Sequence, residues 1–284
     1  MTLPAALAFA GLLLLASADA RAQASPQPVT IRGYAGEAME PHLTRDGRFL
    51  LFNNLNQPPT DTNLYYAELI DDVTIQFRGE IAGANTTSLE GTPTTDRQGN
   101  LYFVSLRSYS QTASTIYRGR FRDGRVSGVE LVAGVSRGVP GMVNFDVDVS
   151  ADGEVLYFVD SRFRFGRPKW AHLVVAARRG EGFQRDPDSE RLLRNVNVHG
   201  LVYAPCISAD GLRLFFTRMD RDVQRGAPAL YLATRPSMAA PFGPARRLAI
   251  DGFVEGPVLS PDGAWLYFHR RDGAHYAIYR APAD

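Results

Sequence analysis

Glu40, Glu90, Asp146 and Glu255 stand at the openings of four related segments of this chain, each just ahead of a short run that alternates apolar and polar residues. Carboxyl groups gathered from several segments onto one spot can split a glycosidic bond, one as proton donor and another as nucleophile or base. The same openings carry His42 and Tyr203, and further along the copies come Arg107, Arg162, Arg218 and Arg270. An acidic centre with basic and aromatic surroundings suits a polyhydroxylated or anionic ligand. These residues form the candidate ligand-binding set, with the four acids as catalytic candidates if the protein is an enzyme. A plainer use competes with this one. Acids before a proline can cap turn amides, and recurring arginines can pair with them across to the next copy. Recurrence in most copies weights architecture above catalysis.

Other catalytic patterns are weaker. Gly134-Val-Ser136-Arg-Gly138 spells a nucleophile elbow, which works only where a strand turns sharply into a helix. Val139-Pro140-Gly141 follows, so a loop is predicted there. Asp148, Ser150, Asp152 and Gly153 imitate the start of a calcium loop, but the closing bidentate position falls on Val159. The five histidines show no zinc-ligand spacing. No phosphate-cradling or dinucleotide fingerprint occurs. No cofactor and no metal are expected, and the lone Cys206 is expected to be buried as a small hydrophobe.

The elements that must position these residues repeat. EPHLTRDGRFLLF, TPTTDRQGNLYF, DVDVSADGEVLYF, APCISADGLRLFF and GPVLSPDGAWLYF each join two apolar runs through a turn ending in glycine. Asp-Gly between such runs predicts a hairpin with a type I′ turn. Thr44, Ser150, Ser208 and Ser260 recur three residues before the glycine, where a hydroxyl can bond the turn's own backbone. A third strand follows in every copy (LYYA, IYRG, LVVA, LYLA, IYRA), at intervals of 48 to 57 residues. A fourth follows in four copies: GEIA from Gly79, VELV from Val129, ERLL from Glu190 and RRLAI from Arg246. The last copy lacks one, and Val29 to Arg32 (VTIR) is its expected donor. The predicted fold is therefore all-β: a five-bladed β-propeller of four-stranded antiparallel blades, its ring closed by an N-terminal strand.

The copies resemble the TolB-type, WD-like β-propeller repeat, whose core runs Pro-x-apolar-Ser-Pro-Asp-Gly and then an apolar-x-Phe strand. The fifth copy matches almost letter for letter, copies one and four match well, copy three has Val147 for proline, and copy two lacks Asp-Gly. The resemblance covers residues 25–284 and implies a fold, because such repeats serve binding, assembly and enzymatic propellers alike.

Upstream, Leu3 to Ala16 is an apolar run followed by ASADARAQAS, the pattern of a secretory signal with cleavage after Ala24. Residues 1–24 are thus expected to be an address and 25–284 a single domain, periplasmic or secreted, with no membrane span in the mature chain. The 284 residues carry 31 Lys+Arg against 30 Asp+Glu, a net charge of +1 that excludes a nucleic-acid grip by bulk charge. The sequence favours a non-catalytic TolB-like module that binds a protein or cell-envelope component on its loop face. A glycan-active enzyme, hydrolase or lyase, with carboxylates at the axial mouth, is the alternative.

Overall fold

In the computed structural model of the chain, which describes residues 25–164, 166–198, 200–220 and 227–283, the Asp-Gly strings are tight turns built by their own side chains. The hydroxyls of Thr44, Ser150, Ser208 and Ser260 donate to the carboxylates of Asp46, Asp152, Asp210 and Asp262 at 2.5–2.6 Å. They also accept the amides of Phe49, Val155, Arg213 and Trp265 at 2.9–3.0 Å. In the second copy Asp96 does both jobs, accepting from the amide and side chain of Asn100. The turns are not type I′: only the glycine is left-handed (φ 71 at Gly47 and Gly211), while the aspartate keeps negative φ. Ser208→Ala is expected to lower stability by about 1 kcal/mol, the worth of the bonds it removes, in a urea melt.

These turns join the first two strands of five units. Ahead of the units lie β1 (Gln27–Pro28) and β2 (Thr30–Arg32). Unit one holds β3 (Met39–Leu43), β4 (Phe49–Asn53), β5 (Leu64–Leu69) and β6 (Thr74–Glu80). Unit two holds β7 (Glu90–Thr95), β8 (Asn100–Ser105), β9 (Ile116–Arg122) and β10 (Arg125–Leu131), with the single-turn α1 (Tyr109–Thr112) after β8. Unit three holds β11 (Met142–Val149), β12 (Val155–Arg164), β13 (Arg167–Arg179) and β14 (Gly182–Arg185). After it, ERLL is not a strand but the short helix α2 (Ser189–Leu193), which buries Leu192 and Leu193. Unit four holds β15 (Leu201–Ile207), β16 (Arg213–Met219), β17 (Ala229–Thr234) and β18 (Arg246–Arg247); unit five holds β19 (Phe253–Leu259), β20 (Trp265–Asp272) and β21 (His275–Pro282). Strands consecutive within a unit pair antiparallel.

The first strands of the units pack on one another in a cycle: β3 on β7, β7 on β11, β11 on β15, β15 on β19, and β19 on β3. Apolar cores lie between successive units. Leu51, Leu64, Phe103 and Tyr117 fill the gap between units one and two; Tyr102, Val149 and Phe158 fill the next. Phe-on-Tyr pairs from second and third strands stack inside units one, two, four and five.

The N-terminal segment departs from expectation. Gln27 and Pro28 pair with Arg280 and Tyr279 of β21, and Val29 donates to Ile278 at 2.8 Å. Thr30–Arg32 instead run parallel to β6 of unit one. The segment thus belongs to two units, and the buried Val29 sits in the core that units five and one share. The secretory-signal reading concerns residues that lie outside those described. Among the described residues no helix is long and apolar enough to cross a membrane.

Candidate functional site

Within each inner strand, three residues before the end that meets the turn, one residue is left-handed: Glu40 (φ 48), Thr92 (φ 51), Asp146 (φ 47), Ala204 (φ 48) and Gly256 (φ 64). The ladder to the second strand shifts register there in all five units. These are β-bulges, which add a residue and reset which side chains face which way. The five residues, with the two after each, line an axial cavity of about 40 Å³. That space holds a few waters and no sugar ring.

A bulge amide needs an acceptor, and for Glu40, Thr92, Ala204 and Gly256 the preceding unit supplies it. Asn53 accepts from Thr92 at 3.0 Å, Thr217 from Gly256 at 3.2 Å, and His269 Nδ1 from Glu40 at 3.2 Å. The corresponding place in unit three is Val159, and there Asp146 Oδ2 accepts the Ala204 amide at 3.0 Å. Because His269 Nδ1 is an acceptor, its proton is on Nε2, which lies 3.3 Å from Glu255 Oε2 and donates to it. The Tyr203 hydroxyl donates to the other Glu255 oxygen.

Glu40 has no such support. Among the described residues no hydrogen bond or basic group reaches its carboxyl, and a Cβ on Gly256 would come within 2.7 Å of its Oε2. Burial, then the neighbouring Asp146 and Glu255, push Glu40 well above the usual glutamate range. Burial pushes Asp146 to about 7, with Glu255 adding to the rise and the Ala204 amide opposing it. Burial and Glu255 hold the Tyr203 phenol well above its ordinary value. The Thr92 hydroxyl oxygen is buried with no partner among the described residues.

Four of the sequence candidates therefore meet here: Glu40, Asp146, Tyr203 and Glu255. His42 also lines the axial cavity, two residues after Glu40, but its ring is engaged by the next unit. It sits one layer deeper, accepting the Thr95 amide through Nε2 at 2.9 Å, and burial with Arg45 nearby keeps it neutral. Its counterparts in the next units do the same: Thr94 takes the Val149 amide, Asp148 that of Ile207, and Cys206 Sγ that of Leu259. This is a belt tying unit to unit. Burial raises the Cys206 thiol to about 12, so it is inert.

Glu90, expected beside Glu40 and Asp146, is elsewhere. It is fully buried, accepting from Thr86, Ser105 and Arg107. It lies two residues ahead of its bulge, whereas Glu255 lies one ahead, so the alternation sends the two in different directions. Glu90→Ala is expected to cost about 3–5 kcal/mol in a denaturation experiment, since Arg107 loses its carboxylate. The arginines are architectural in their contacts. Arg107, Arg218 and Arg270 lie over Tyr117, Tyr231 and Tyr279 at 4.9, 3.8 and 3.7 Å. Arg218 and Arg270 also pair with Asp220 and Asp272, and Arg162 is exposed on β12. His269 and Thr92 were not legible as site residues. The one signal for His269 is its place directly after LYF, where copies one and four carry Asn53 and Thr217. Among the described residues no group of three or more His, Cys, Asp or Glu is arranged to hold a metal ion.

No protein-family profile and no curated protein sequence matches this chain. Solved structures do, at low identity. An exo-β-1,3-galactanase from Clostridium thermocellum aligns at 13% identity with a TM-score of 0.58, over 91% of this chain and 62% of its own. The catalytic domain of a family-62 α-L-arabinofuranosidase from Coprinopsis cinerea aligns at 14% and 0.54, over 92% and 96%. TolB from Acinetobacter baumannii aligns at 14% and 0.50, over 88% of this chain and 55% of its own, so the chain spans about half of that protein. These likenesses show the fold: a mostly-strand propeller with almost no helix.

Proposed function

We propose that this chain is an exported, five-bladed propeller, closed by its N-terminal segment, whose axial mouth cleaves a glycan. The observation that carries the reading is the gathering of Glu40, Asp146 and Glu255 at one mouth, where among the described residues no arginine or lysine pairs with them and only His269 reaches Glu255. Glycosidic cleavage needs one carboxyl protonated and another not, and a site achieves this by giving them different surroundings. Glu40, buried and unsupported, is the proton donor. Glu255, receiving hydrogen bonds from Tyr203 and His269, is the base or nucleophile. Asp146, poised near neutrality, sets the charge that Glu40 feels. The cavity is too small for a sugar, so the glycan lies across the mouth and places one glycosidic oxygen at Glu40. The fold neighbours named as glycosidases support this reading as analogues.

A panel of polysaccharides assayed for new reducing ends tests it. The parent is expected to cleave at least one, and Glu255→Gln to lose about 10²–10⁴-fold in rate. A second reading, a non-catalytic module of the TolB kind that binds a protein or envelope component, is favoured by the narrowness of the cavity. Binding of a glycan by the parent without any cleavage would select it.

A further inference from the structure

The outer strands of unit two carry charge with no counterpart. Arg118, Arg120 and Arg122 alternate along β9 and so share a face, and the register sets Arg125 directly opposite Arg122 and Ser127 opposite Arg120. Arg118 is neutralised by Glu130 and Glu181. Among the described residues no ion pair or side-chain hydrogen bond reaches Arg120, Arg122 or Arg125, and all three are exposed. Asp123, in the turn between the strands, is bound to Arg48 at 3.1 Å, and of the acids lining the adjoining recess with Arg120, Glu130 and Glu181 pair with Arg118 and Glu154 with Arg178. Arg120, Arg122, Asp123, Arg125 and Ser127 together line an open recess. Like charges directly opposite on a strand pair are a cost, and no contact within the chain offsets it here.

We infer that this recess is a second binding site, for a glycan bearing ionised carboxylates. Guanidinium groups spaced along a strand meet carboxylates at intervals along a chain, and the Ser127 hydroxyl and the open Gly128 beside them suit sugar hydroxyls. A bilayer is the poorer partner, because none of the exposed large apolar side chains of the described residues (Ile70, Val139, Val198 and Met238) lines the recess. Nucleic acid is disfavoured by the net charge of +1. Asn100, at the Asp-Gly-type turn end of β8, pairs with Arg120, so the recess lies at the turn end of the outer strands, away from the acid cluster on the inner ones. There it would anchor an acidic polymer while the mouth works on another stretch. The choice of a glycan rests on the proposed function; the charge argument does not.

The test is binding, read without reference to cleavage. Alginate, a neutral galactan, and phosphatidylglycerol vesicles are offered to the parent, to Arg120→Gln/Arg122→Gln/Arg125→Gln, and to Asp146→Asn. Alginate is expected to bind the parent and the Asp146 variant alike, and to bind the triple variant about tenfold or more weakly. High salt should weaken the parent in the same way, and galactan should show no dependence on the arginines. The triple variant is expected to melt no lower than the parent, which separates lost binding from lost folding. Equal alginate binding by parent and triple variant overturns the inference, as does no binding at all. Arginine-dependent binding to the vesicles but not to alginate overturns it in favour of a membrane. Cleavage failing while alginate binds through the arginines would refute the proposed reaction and leave this site standing.

Discussion

Glu40→Gln/Asp146→Asn is expected to be more stable than the parent at about pH 8 while losing glycan cleavage. Asp146 titrates near 7 in the fold and near 4 in an unfolded chain. A carboxyl whose folded value is raised binds its proton more tightly in the native state, so stability falls as pH rises from about 4 to about 7. A rise of about three units corresponds to roughly 4 kcal/mol lost above neutrality. The amide removes that loss and keeps the acceptor that the Ala204 amide requires. Glu40 shifts in the same direction, and Gln at that place adds no charge beside Glu255. The variant should therefore gain stability at about pH 8 and little at about pH 4. Glu40 is the proposed proton donor, so the rate should drop by about 10²–10⁴-fold. Thermal melts at both pH values, with the reducing-end assay alongside, check both halves.

Deleting residues 25–33 is expected to lower the melting temperature by about 10 °C or more, well beyond the effect of trimming a loose tail. The segment supplies Gln27 and Pro28 as the outer neighbours of β21 and Thr30–Arg32 as the outer neighbour of β6. Without it two sheet edges are bare, and the buried Val29 is lost from the core shared by units five and one. Arg280 also loses Gln27, which it bonds at 3.1 Å. A calorimetric scan of the shortened chain reads the effect. An unchanged transition would mean that the cycle of inner strands holds without this strap.

What the sequence showed and what it hid divide along one physical line. Hairpin turns are local chemistry: Thr44, Ser208 and Gly211 act within five residues of themselves, so their spacing revealed them. The second and third strands follow strict alternation and were equally readable, though not the stacking of their Phe and Tyr rings. The mouth breaks alternation. A bulge at Glu40, Thr92, Asp146, Ala204 and Gly256 turns the chain by one residue, so standing at the opening of a copy placed Glu90 in a set it does not join. His269 was hidden for another reason: its role comes from an amide in unit one, more than two hundred residues away in the chain. ERLL misled because it alternates weakly and its two leucines also suit one helical turn, while the true fourth strand, Gly182–Arg185, has only Phe183 to mark it. The N-terminal strand was found by elimination, which gave its presence but not its division between two units.

The central claim is that Glu40 and Asp146 lie buried together beside Glu255, with no basic partner among the described residues, so that both titrate above the ordinary carboxylate range. Carbon NMR of side-chain carboxyls, followed through a pH titration with Glu40→Gln, Asp146→Asn and Glu255→Gln for assignment, measures this directly. One resonance, removed by Asp146→Asn, is expected to titrate at about 7, and another, removed by Glu40→Gln, well above the usual glutamate value. Asp146→Asn should lower the value of Glu40, because it removes a charge that raises it. If both carboxyls instead titrate at about 4, as unperturbed acids do, the cluster is solvated or paired and the account of the mouth as an acid–base site is wrong.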